Sequence, residues 1–229
     1  MSSRFNGSVA MRAVPYIALA FAACGHTKLV PVASAESAEG ASAASSLADG
    51  VRCTADVDAW EGGPGALPDL VTPVKVHILN NSGRPIRLLY EDFVLVGKSG
   101  RRYRPIPVVP IDPDPKRVPV SPTYPSWNFF VAPRVHAAYR TMQAWPRPLR
   151  RDQPFYEHQY RLWGQSRPSL DVIRTALPEG VLREGGVVSG FLFFENPIDR
   201  EDRVVFEARF DESDSPQTVA SMKIPFTIE

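Results

Sequence analysis

Four histidines, two cysteines and several carboxylate groups are the residues whose chemistry has to be placed first. Nucleophilic hydrolysis needs a Ser or Cys beside a base, often on a strained turn. No G-x-S-x-G occurs. Residues 164–168 (GQSRP) come nearest, with Pro168 standing at the second glycine position. No S-x-x-K is present either. His26, His77, His136 and His158 are scattered along the chain. His77 falls on the polar side of an alternating stretch, which predicts a solvated ring. His136 and His158 lie in an irregular region that folding could bring together. Asp112/Asp114, Asp199/Glu201/Asp202 and Asp211/Glu212/Asp214 lack the ligand spacing and sharp glycine turn of a calcium loop, and the last two groups read as hairpin turns. No Gly-rich phosphate loop follows a strand and opens a helix. We therefore expect neither a cofactor nor a metal.

Aromatic and arginine residues form the one dense constellation. Between positions 124 and 163 sit Tyr124, Trp127, Phe129, Phe130, Tyr139, Trp145, Phe155, Tyr156, Tyr160 and Trp163, which is 10 of the 23 aromatics. Arg134, Arg140, Arg147, Arg150, Arg151 and Arg161 are interspersed. Exposed Trp, Tyr and Arg favour partner contact because they combine rigid area with a polar handle. Tyr124, Trp127, Tyr139, Arg140, Trp145, Tyr156, Tyr160 and Trp163 are the candidate partner-binding surface, for an envelope protein or a glycan. The competing reading is that these rings pin an irregular insertion onto the rest of the domain.

The chain begins with an export pattern. Arg4 and Arg12 precede an apolar run at residues 13–23, which ends in Ala22-Ala23-Cys24-Gly25. A charged start, a short apolar core and a small-residue cleavage site make a signal peptide. The run is 11 residues, where about 20 are needed to cross a membrane core. A Cys directly after two alanines resembles the signal of bacterial lipoproteins. That resemblance implies cleavage after residue 23 and acylation of Cys24. By the same resemblance, Gly25 in place of Asp implies an outer-membrane anchor if the cell has two membranes. Plain secretion, with cleavage at Ala33-Ser34-Ala35, is the alternative. Residues 25–50 are rich in Ala, Ser, Gly and Glu, a composition too poor in large apolar groups to offset ordering entropy, so we expect a flexible tether over 24–50.

Charge and cysteine count limit the remaining choices. The net charge is +1, and −1 once Arg4 and Arg12 leave with the signal, so nucleic acid is not an expected partner. With Cys24 acylated, Cys53 stands alone and is expected as a small core residue. Without acylation, a Cys24–Cys53 disulfide becomes available in an oxidising compartment.

These residues must be positioned by strands. Val74, Val76 and Ile78 alternate with Lys75 and His77, the period of a half-buried strand, and Asn80-Asn81-Ser82-Gly83 is a turn cluster. Residues 86–90, 93–96 and 101–106 follow as short strands. Eight prolines at 105–125 predict an extended, irregular segment. Residues 127–131 read as a strand, and 135–144 and 155–162 as short helices. A helix over 169–177 is capped by Ser169 and stopped by Pro178-Glu179-Gly180. Residues 187–194, with a bulge at Gly190, then 203–210 and 219–228 read as three successive antiparallel strands, and Pro225 implies an edge or a bulge.

The fold class expected is mainly β: an immunoglobulin-like antiparallel sandwich over 51–229, with an irregular Pro- and aromatic-rich insertion at 105–168 and a short helix. Residues 76–83 (VHILNNSG) and 186–194 (GVVSGFLFF) resemble single-domain sandwich lipoproteins of the bacterial envelope. The expected function is a non-enzymatic binding or structural module held at the membrane by a lipid on Cys24. The alternative is a secreted or envelope enzyme acting on a wall or extracellular polymer, with His136 or His158 in a cleft.

Overall fold

The computed structural model describes residues 28–32, 42–108, 128–139, 141–163 and 168–229. The chain is mainly β. Among the described residues twelve strands form three antiparallel sheets, with three short helices. The first sheet orders β1 (Leu29–Pro31), β12 (Thr218–Ile228), β11 (Arg203–Asp211), β6 (Phe93–Gly97) and β7 (Arg102–Tyr103). The second orders β10 (Gly186–Glu195), β4 (Val71–Asn80), β3 (Val51–Asp56) and β2 (Ala43–Ala48). The third is small: β5 (Ile86–Leu88), β9 (Gly180–Leu182) and β8 (Phe129–Val131).

Alternation accounts for the longest strands. Val74, Val76 and Ile78 of β4 are buried while His77 is exposed. Val204, Phe206, Ala208 and Phe210 of β11, with Ala220, Met222, Ile224 and Phe226 of β12, supply another inward face. Phe194 of β10 meets Phe206 of β11 edge-to-face with ring centroids 6.2 Å apart, and Phe93 of β6 lies 6.1 Å from Phe206. The first and second sheets therefore share one core. β10 is apolar on both faces because its other side is covered too. Trp60 packs edge-on against Phe191 at 5.1 Å and against Phe193 at 5.5 Å.

Several expectations need correction. The tether expected over 24–50 contains two strands. β2 pairs with β3 from Ala43↔Asp56 to Ala48↔Val51, and β1 pairs with β12 from Leu29↔Ile228 to Pro31↔Phe226. The cause of the first is the turn. Asp49 and Gly50 both have positive φ, the two-residue turn whose twist suits a tight hairpin. Gly50 is required there, because a Cβ would collide with the Asn81 carbonyl. Small Ala and Ser side chains suffice for β2 because β3 supplies the buried Val51, Cys53 and Ala55.

β10, β11 and β12 are not three neighbours. β11 and β12 form a hairpin in the first sheet, while β10 crosses to pair with β4 over ten residues. Gly190 is no bulge, since that register runs unbroken through Gly190↔Val76. Its hydrogen side chain instead admits a crossing backbone: Leu177 N–H donates to the Phe191 carbonyl at 2.8 Å, and a Cβ on Gly190 would strike Leu177. The register shift falls between Phe210 and Asp211. Pro225 stays in register opposite Val205. Its carbonyl accepts from Val32 N–H at 3.1 Å, so its nitrogen also faces the end of β1 and the β11–β12 ladder loses no donor.

The strand expected over 101–106 is cut to β7. From Pro105 the chain leaves the first sheet for β10, where Ile106 N–H donates to the Phe193 carbonyl at 2.7 Å. The helix expected over 135–144 is only a 3-10 turn, Pro133–Val135, with turns after it. The other helices are α1 (Leu67–Leu70), α2 (Gln153–Tyr160) and α3 (Leu170–Thr175). Ser169 caps α3 by accepting from Val172 N–H at 3.2 Å. Most of the proline run, and Cys24 with the export signal, lie outside the described residues.

Candidate functional site

The described part of the insertion is tied to a buried carboxylate, Glu179, on the segment that leads from α3 into β9. Its side chain is 4% exposed. Arg134 from the turn after β8 pairs with Oε2, and the Tyr156 hydroxyl of α2 donates to Oε1. Tyr90 N–H donates to the same oxygen at 3.0 Å, while the Tyr90 hydroxyl reaches the Leu177 carbonyl at 2.9 Å. The Arg134 guanidinium also lies 4.5 Å from the Tyr156 ring centre, and Arg151 lies 4.9 Å from it. Burial pushes the phenols of Tyr90, Tyr139 and Tyr156 above their ordinary value, and the Glu179 carboxylate adds to each shift.

This centre is closed. Both carboxylate oxygens are engaged by groups of the chain itself, so its chemistry is cohesion. Such a pair gains little over an apolar replacement, but loss of one partner strands the other charge.

The sequence-predicted surface residues divide accordingly. Tyr139, Trp145 and Tyr156 are buried within this chain and do not form an exposed patch. Trp145 packs edge-on against Phe130 at 5.8 Å, with Arg183 4.3 Å from the Phe130 ring centre. Tyr160 is half-buried at the end of α2, and Trp163 closes the 3-10 turn Arg161–Trp163. Tyr124, Trp127 and Arg140 lie outside the described residues, as does Cys24. His136 Nε2 lies 3.1 Å from the Met142 carbonyl, whereas His158 is exposed on α2. Among the described residues no three His, Cys, Asp or Glu side chains are arranged to hold a metal. Cys53 is a free, buried thiol on β3, pushed up to about 12 by burial.

Sequence reasoning missed Glu179, which was legible only as part of a helix stop. Its partners come from positions 90, 134 and 156, and no local spacing links them. It also missed a second polar lattice. Asp92 and Asp211 are buried between Arg87 and Arg209: Arg87 reaches Asp211 at 2.7 Å and Arg209 reaches Asp92 at 2.9 Å. Burial pushes the Asp92 carboxyl up, and the two arginines oppose that shift. A groove of about 480 Å³ borders this lattice, lined in part by Glu91, Arg102, Arg104 and Glu207.

A larger cleft, about 570 Å³, is lined in part by Lys28, Asp58, Trp60, Pro68, Asp69 and Asp199. One wall is the loop leading into α1. It is tied to α3, where Ser169 Oγ donates to the Gly63 carbonyl at 2.9 Å and Gly63 N–H donates to Asp171 Oδ2 at 3.3 Å. Another part of the wall is the start of the first sheet, where Lys28 and Glu229 exchange two main-chain hydrogen bonds of 2.7 and 2.8 Å.

Comparison with protein-family models, curated proteins and solved structures finds no match to this chain.

Proposed function

We propose that the chain is an exported envelope protein, held by a lipid on Cys24, whose domain is a non-enzymatic binding or structural module. The layout read for that domain is an immunoglobulin-like β-sandwich, supported by the stacking of the two larger sheets through Phe194 and Phe206. The observation that carries the module reading is the closure of Glu179. Among the described residues, Arg134 and Tyr156 of the insertion converge with Tyr90 N–H on the buried Glu179, which binds the insertion to the domain and leaves both carboxylate oxygens engaged by groups of the chain. An envelope protein or a glycan is the partner of the insertion; of the candidate residues whose side chains are described, Tyr160 keeps partial exposure.

The lipid-anchor reading draws on the Cys24 signal. The resemblance of Gly25, in place of Asp, to lipoprotein sorting signals supports an outer-membrane location in a cell with two membranes. Its test is fractionation of cells expressing wild type or Cys24→Ala. Wild type should sediment with membranes and require detergent, and the variant should not stay anchored. Equal partitioning of the two proteins would contradict the anchor.

A further inference from the structure

Resting on the lipid-anchor reading, we infer that the α1 end of the domain seats directly on the bilayer that holds the anchor, with Leu70 inserted at the level of the headgroups. Cys24 and Lys28 are four residues apart. A fully extended chain of that length spans at most about 14 Å. Lys28 itself is fixed, because its backbone is bonded twice to Glu229. The anchor therefore leaves no long tether, and the surface nearest Lys28 faces the membrane.

That surface is the cleft with α1 on its rim, since Lys28, Pro68 and Asp69 all line it. Leu70 is 73% exposed, and Pro64, Ala66 and Pro68 beside it are also exposed. Once an acyl chain holds the domain, contact of this loop with the bilayer is intramolecular, so a small apolar projection suffices.

Charge selects the headgroup. Around the cleft stand one lysine, Lys28, and three aspartates, Asp58, Asp69 and Asp199. This balance repels an anionic surface and suits headgroups that carry a primary ammonium, as phosphatidylethanolamine does. The other end of the domain serves as an internal control. Leu47 is 52% exposed on β2, beside the Asp49-Gly50 turn. It pairs with Arg52, which pairs with Leu79 near the far end of β4. The nine steps of β4 separate the two ends by about 30 Å.

The test uses the acylated protein, whose Cys24 sulfur is blocked and whose Cys53 is buried, so an introduced cysteine takes the label. Leu70→Cys and Leu47→Cys proteins carrying an environment-sensitive fluorophore are reconstituted into phosphatidylethanolamine/phosphatidylcholine vesicles containing brominated chains. The label at position 70 should be quenched about threefold more than that at 47, because a group seated about 5–10 Å into the boundary lies among the quenchers. Quenching at 70 should weaken when phosphatidylglycerol replaces phosphatidylethanolamine. Equal, weak quenching at both positions in protein that still floats with the vesicles would overturn the seating and leave the anchor standing. Protein that carries no acyl mass and does not float would overturn both.

Discussion

Arg134 pairs with the buried Glu179 carboxylate and at the same time lies 4.5 Å from the Tyr156 ring centre, so one side chain joins the turn after β8, the approach to β9 and helix α2. The aromatic-rich insertion is thereby part of the domain. Removing one member should show it. Arg134→Ala leaves a buried carboxylate unpaired and should cost about 3–5 kcal/mol in urea unfolding. Tyr156→Phe removes only one hydrogen bond to that charge and should cost about 1.5–3 kcal/mol. Both should diminish the near-ultraviolet dichroism of the insertion's rings. An Arg134→Ala protein as stable as wild type would remove the role assigned to Glu179.

The buried phenols make stability depend on alkaline pH. Tyr90, Tyr139 and Tyr156 hold their protons above the ordinary value, so above about pH 10 the folded chain binds protons that the unfolded chain has released. Their contribution is complete below that pH and declines as pH rises further. A spectrophotometric titration should show Tyr90, Tyr139 and Tyr156 ionising late, in a cooperative step as the domain unfolds. Ionisation of all tyrosines in one step near pH 10, with the fold intact, would contradict their burial.

Cys53 should be inert in the native state. Its thiol is buried and pushed up to about 12, so a thiol reagent at pH 8 should react on the timescale of unfolding and immediately in denaturant. Rapid stoichiometric reaction of native protein would place the residue at the surface.

The hairpin at Asp49-Gly50 offers a backbone test. Gly50 has φ +81 and no room for a Cβ. Gly50→Ala should lower stability by about 1–3 kcal/mol, through strain at positive φ and displacement of Asn81. An unchanged unfolding midpoint would argue that β2 does not pair with β3.

These features differ in how far the sequence announces them. β4, β11 and β12 are legible because one face of each is wetter than the other, and alternation records that difference. β2 is hidden by its Ala- and Ser-rich composition, although Asp49-Gly50 marks the turn that makes it a strand. The crossing of β10 into the second sheet is hidden as well. Its side chains are apolar on both faces, and the cover on one of them is Trp60, 131 positions before Phe191. The constellation of rings and arginines is visible in the sequence, but its direction is not. Tyr156 points inward to Glu179, which reads locally as nothing more than the end of a helix, and Trp145 points inward to Phe130, whose approach no local spacing shows.

Both the envelope role and the seating of α1 depend on the lipid anchor, and the intact mass of mature protein purified from membranes reads that anchor directly. The mature chain should begin at Cys24 and carry acyl groups, with Cys24→Ala lacking them. An unacylated chain, or one beginning elsewhere, would contradict it and return the protein to the class of soluble exported factors.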